Sequence, residues 1–205
     1  PFRHSKLLGL IDNTDDSILN NTTTVTMAKY ITPPINTQNS YILNFNNKFF
    51  NPHSGHNSAA GGIISSTGFS MSTVDSSREY FFDDDGAGNL RIYYLVSGSR
   101  IYYSGTAGTV DYVNGKITIN SLMISAISNV DGATSTRIRI TVIPDSYDII
   151  PVRNQILEID TVNTTVASSV DATTSTGVGY TTTTTGGVTT TTVTTTTSTP
   201  SSSAY

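Results

Sequence analysis

Residues Glu79–Val142 read EYFFDDDGAGNLRIYYLVSGSRIYYSGTAGTVDYVNGKITINSLMISAISNVDGATSTRIRITV. Runs of β-branched and aromatic residues are cut again and again by Gly, Asn and Asp, which is the pattern of antiparallel hairpins. The sharpest instance is Thr109-Val110-Asp111-Tyr112-Val113, then Asn114-Gly115, then Lys116-Ile117-Thr118-Ile119. Asn-Gly suits the two positive-φ positions of a type I′ turn, so a two-residue hairpin is expected there.

Outward from this block the same grammar continues more loosely. Strand-like runs at Thr22–Ile31 and Ser40–Phe50 precede it, separated by the breaker Pro33-Pro34. A turn at Asp145-Ser146-Tyr147-Asp148 follows it, then a further strand pair, Gln155–Val162 and Thr165–Val170. No segment shows a convincing 3.6-residue period; a turn of helix within Arg153–Asp160 is the one competitor. The expected fold is mainly β: antiparallel, hairpin-rich sheet or sandwich domains with an extended Thr-rich C-terminal tail. The regions expected are 1–77, a β-rich segment; 78–171, the hairpin domain; and 172–205, the tail.

Composition narrows the function classes. The chain has 205 residues, of which 13% are charged, against about 25% in ordinary domains, so its surface is mostly Thr, Ser, Asn and Gly. Such a surface suits packing against other protein. A net charge of −4 offers no basic footprint for nucleic acid. With no cysteine, thiol catalysis and zinc–thiolate sites are excluded. No apolar run approaches the roughly 18 residues needed to cross a membrane, and the apolar part of the amino end is too short for a signal peptide. The missing initiator Met reads as the carboxy-terminal piece of a longer chain.

The tail follows a different logic. Thr fills 20 of the last 45 residues, and the 34 residues after Asp171 carry no charge. Ordering such a segment costs tens of kcal/mol, at roughly 1–2 kcal/mol per residue. Its few Val and Tyr side chains offset little of this, at about 1.5–3 kcal/mol each. Main-chain pairing with a neighbouring strand edge is the expected remedy, because Thr is a strong strand former.

Several clusters invite a chemical reading. Asp83-Asp84-Asp85-Gly86-Ala87-Gly88-Asn89 has the carboxylate and Gly density of a calcium loop, but it lacks the EF-hand spacing and reads as a hairpin loop. His53-Ser54-Gly55-His56 needs a third ligand such as His4 to hold a metal and reads as a polar loop. Asp12, Asp15 and Asp16 near Lys6 lack the pocket that glycoside chemistry demands. Tyr93-Tyr94 and Tyr102-Tyr103 offer flat faces for sugars or bases, yet strand alternation sends one of each pair inward. No catalytic, cofactor-binding or metal residue is assigned, no cofactor is expected, and the chain reads as a non-enzyme.

Four separated blocks, in order, resemble a known family: Phe2-Arg3-His4-Ser5-Lys6-Leu7-Leu8-Gly9-Leu10-Ile11-Asp12; Asp85-Gly86 with Gly88-Asn89-Leu90-Arg91-Ile92-Tyr93-Tyr94; Gly108-Thr109-Val110-Asp111-Tyr112 with Gly115-Lys116-Ile117; and Pro151-Val152-Arg153-Asn154-Gln155-Ile156-Leu157-Glu158. Together they are similar to the carboxy-terminal part of the T4-type baseplate wedge protein of contractile-tailed phages. The resemblance implies a structural subunit of the baseplate inner ring, made in the host cytoplasm and carried in the virion. It also implies a two-fold contact with a second copy, contacts with other wedge and hub subunits, and rearrangement on sheath contraction. Neither nucleic acid nor membrane is an expected partner. Candidate interface positions are Arg153, Asn154 and Gln155 in the last block, and Thr181, Thr189 and Val193 in the tail. The rival class is a tail-fibre or carbohydrate-binding β-sandwich.

Overall fold

The computed structural model describes residues 1–16, 18–56, 61–130, 133–151 and 157–168, together with the backbone of 176–185 and 188–197. The chain divides into two compact units, Pro1–Gln155 and Ile156–Tyr205, and the fold is mainly β.

Ten strands build the first unit: β1 (Met27–Ile31), β2 (Gln38–Asn44), β3 (Ile64–Ser66), β4 (Phe69–Met71), β5 (Asp75–Asp84), β6 (Asn89–Val96), β7 (Ser99–Asp111), β8 (Lys116–Met123), β9 (Ala126–Ile127) and β10 (Ile138–Val142). One antiparallel sheet runs β2-β8-β7-β6-β5-β4-β9 and curls into half a barrel, while a smaller sheet runs β1-β10-β3. Alternation explains the core: Ile138, Ile140 and Val142 of β10 point inward with Arg139 and Thr141 between them, and Ile117 and Ile119 do the same on β8. Phe49, Phe69, Tyr80, Phe82, Leu90 and Ile92 complete one continuous cluster between the sheets. Burying each such side chain contributes about 1.5–3 kcal/mol.

Three sequence expectations need correction. A helix, α1 (His4–Asp12), stands in a segment read as non-helical. It lacks a side-chain N-cap and buries no residue, so the usual capping signal and a full apolar stripe are missing. Its C-terminal end is closed by Asn13 N–H on Gly9 O and by Thr14 Oγ1 on Leu10 O at 2.8 Å. Second, the type I′ geometry falls at Ser97-Gly98, between Val96 and its partner Ser99, with φ of 50° and 81°. At Asn114-Gly115 only Gly115 is left-handed, with φ 62°. There the Asp111 carboxylate accepts the Asn114 backbone N–H at 3.0 Å and its side-chain amide at 2.7 Å, which builds a four-residue loop from Tyr112 to Gly115. Third, residues 157–162 form no strand; Asp160 instead braces a turn through Asn163 and Thr164.

Among its described residues the second unit holds a three-stranded antiparallel sheet of β11 (Thr165–Ser168), β12 (Thr176–Thr185) and β13 (Val188–Thr197), in that order. Register sets Thr165–Ser168 against Thr185–Thr182 and all of β12 against all of β13.

Gly115 is required twice over. A Cβ there would sit 2.0 Å from the Asn47 carbonyl oxygen, on a backbone already at positive φ. Gly115→Ala is therefore expected to cost about 2–4 kcal/mol, and Gly98→Ala, at positive φ but with open space around it, only about 1–2 kcal/mol. Urea midpoints of the two variants check the difference, and equal losses would show that the Asn47 backbone yields freely.

Candidate interaction surface

Three consecutive carboxylates organise this region, and each has a different task. The last residues of β5 send Asp83 and Asp84 to opposite faces of the sheet, and both are buried. Asp84 accepts the backbone N–H groups of Ile63 at 2.6 Å and Ile64 at 2.8 Å and the Tyr112 hydroxyl at 2.6 Å. It thereby fastens the entry of β3 and the β7–β8 loop to the end of β5. Gly62 is the close approach this needs, since a Cβ there would stand 2.2 Å from the Asp84 oxygens.

On the other face Asp83 accepts from Arg91 Nε at 2.9 Å, Arg100 Nη1 at 2.8 Å and the Tyr102 hydroxyl at 3.0 Å. Arg91 also donates to the Asp84 backbone carbonyl at 2.7 Å. Asp85 closes the β5–β6 loop by accepting the N–H groups of Ala87 and Asn89 at 2.8 and 2.9 Å. Among the described residues no three His, Cys, Asp or Glu side chains gather in a metal-binding arrangement.

The aromatic faces are used as well. The Arg91 guanidinium lies 4.2 Å from the Tyr102 ring and Arg100 lies 4.6 Å from Tyr93, whose ring also stacks with Phe81 at 5.5 Å. Guanidinium–ring contacts of this kind add roughly 0.5–2 kcal/mol each. The alternation expected at the Tyr pairs holds at Tyr93, which is buried; Tyr102 and Tyr103 are both exposed. A β-bulge causes this, because Tyr93 pairs with Tyr102 but Ile92 pairs with Ser104, leaving Tyr103 as the extra residue. Tyr103 rests edge-on against Tyr80 at 5.8 Å.

The result is a β6–β7 hairpin locked at its base and free at its end. Leu95, Val96, Ile101 and Tyr103 there are 51%, 49%, 42% and 47% exposed. Val96 and Ile101 occupy positions in register with the core side, but the sheet outruns the layer that would cover them. Exposed apolar positions on a braced support are of the kind that contacts between proteins use.

Other sequence candidates are placed apart. His53 Nε2 lies 3.2 Å from His56 Nδ1, whereas His4 packs against Tyr147 and reaches the Thr23 carbonyl at 3.0 Å. Asp12 accepts from Asn21. An open cleft of about 450 Å³ is lined by Lys48, Asn51, His53, Asp111 and Tyr112, but Lys48 is paired with Asp145 and Asp111 with Asn114. Arg153, Asn154 and Gln155 lie outside the described residues. Thr181, Thr189 and Val193 stand in the second unit opposite Thr192, Thr184 and Tyr180. The sequence reading missed Gly62, Arg91 and Arg100 as a supporting set; a Gly-Gly pair and two arginines on adjacent strands near an acidic run were the available signals.

Fold and surface together define an antiparallel β-sheet protein with exposed apolar side chains at one hairpin end. Residues 1–30 match the family described as baseplate structural protein gp6, C-terminal domain III, which supports a relationship to phage baseplate structural proteins. No curated protein and no solved structure matches the chain.

Burial, and then the hydrogen bond to the Asp84 carboxylate, raises the pKa of Tyr112 above its ordinary 10.0. The neutral hydroxyl is the form the fold holds, so its stabilisation is complete below about pH 10 and is lost as pH climbs further. Tyr112→Phe is expected to cost about 1–3 kcal/mol near neutral pH and to make the decline of stability above about pH 10 shallower. Denaturant titrations across that range check both. Asp83→Ala takes the carboxylate from two guanidinium groups, one of them only 11% exposed, and is expected to cost about 2–4 kcal/mol, measured in the same way.

Proposed function

We propose that this chain is a structural subunit of a contractile phage tail baseplate, set in the wedge and inner ring around the hub and carried in the virion. The match of residues 1–30 to a baseplate structural domain carries this reading. The tertiary structure supports it. The buried carboxylates serve as internal fasteners, and Leu95, Val96, Ile101 and Tyr103 leave exposed apolar surface at one hairpin end. The role is that of a scaffold and involves no catalysis. Its partners are a second copy of itself and other baseplate proteins, and the contacts between them shift when the sheath contracts. Arg153, Asn154 and Gln155 belong to this contact set.

A tail-fibre or sugar-binding role is less well supported, because Tyr93 and Tyr102, the flat faces such a module would use, are each covered by a guanidinium. Immunogold labelling of intact virions with antibody to this chain tests the location: label at the baseplate is expected, and label confined to fibres would overturn the reading. Val96→Asp and Ile101→Asp, at exposed positions, are expected to change stability by no more than about 0.5 kcal/mol while weakening co-assembly with the other baseplate proteins at least about tenfold. Unchanged co-assembly would remove the hairpin end from the interface.

A further inference from the structure

The outer edge of β13 is ten residues long, Val188 to Thr197, and no described residue pairs with it. Proteins usually guard such an edge with Lys, Pro or a bulge. This one has none of these: every residue is Val or Thr, and the whole stretch from Ala172 to Tyr205 is uncharged. Every position in the strand is β-branched, which is the composition that favours ladder formation most.

We infer that β13 is a self-association strand, pairing antiparallel with β13 of a second copy about a two-fold axis. The inference deepens the assembly reading above by naming the surface through which copies meet. Edge lengths decide the occupant. Among the described residues the sheet has two open edges, β13 and the four-residue β11 (Thr165–Ser168). Joining β13 to β11 of another copy would limit the ladder to four residues and, being head-to-tail, would propagate into a filament. Joining β13 to itself uses nearly the whole strand and closes.

The register follows from the rows of the sheet. Tyr180 of β12 stands directly opposite Val193 of β13. A two-fold axis through Val193 sets it against Val193 of the second copy. One row then crosses four strands as Tyr180, Val193 and their two counterparts, and Thr189–Thr197 pairs with Thr197–Thr189. A shift by one residue would set Val193 against Thr and lose the apolar row.

The chain has no cysteine, so single cysteines report the register directly. Paired residues in an antiparallel ladder have Cα atoms about 4.5–5.5 Å apart, within disulfide reach. In full-length protein under mild oxidation, Val193→Cys is expected to form a covalent dimer. Thr190→Cys, which faces Thr196 of the second copy, is expected to form little dimer alone and to cross-link when mixed with Thr196→Cys. Size exclusion with light scattering should show a dimer whose dissociation constant changes less than about twofold between about 0.1 and 1 M salt, because no charge lies on the edge. Val193→Lys should weaken it at least about tenfold without altering the melting of the first unit. A wild-type chain that stays monomeric to about 100 µM would overturn the inference. So would equal cross-linking at 190 and 193, or open-ended oligomers. None of these outcomes bears on where the chain sits in the virion, so the baseplate reading is tested separately.

Discussion

Two adjacent buried carboxylates, Asp83 and Asp84, are the constraint on which the first unit depends. A strand sends neighbouring side chains to opposite faces, so two consecutive acids at the end of β5 can serve two layers at once. Taking a carboxylate out of water costs several kcal/mol, and only a full set of donors offsets it. Asp84 obtains two backbone N–H groups and a phenol, and Asp83 obtains two guanidinium groups and a phenol. The donors come from the β3 lead-in, β6, β7 and the β7–β8 loop. Losing either acid therefore loosens elements far apart in sequence.

This arrangement explains how an apolar hairpin end can remain exposed without collapsing. The base of the β6–β7 hairpin is held by ion pairs that double as ring contacts, with Arg91 over Tyr102 and Arg100 over Tyr93. Beyond that base the strands continue past the core, and Val96 and Ile101 keep their apolar character where no layer covers them. Rigid support with a free apolar end lowers the ordering cost that another protein would meet on docking. That is the physical content of a scaffold role.

The two units reach order by different means. In the first, alternating apolar residues from distant strands fill one cluster. In the second, main-chain register sets Thr opposite Thr along the ladder of β12 and β13, from Thr181 opposite Thr192 to Thr184 opposite Thr189.

The sequence by itself determined the mainly β character, the hairpins between Glu79 and Asp111 and from there to Ile119, and the uncharged composition of the tail. All of these are local: they follow from β-branched and aromatic runs, from Gly and Asn punctuation, and from composition. Tertiary structure decided what depends on partners distant in sequence. Asp83, Asp84 and Asp85 read alike as a cluster of acids, and only the fold gave one to arginines, one to backbone N–H groups and one to its own loop. The Asn114-Gly115 turn departed from type I′ because the Asp111 side chain captured Asn114. Helix α1 formed without the capping residue that would have announced it, and Tyr103 stayed exposed because a bulge displaced it from the alternation. Propensity describes what a segment does with its own neighbours. Burial, ion pairing and strand register are set by what the rest of the chain brings to it.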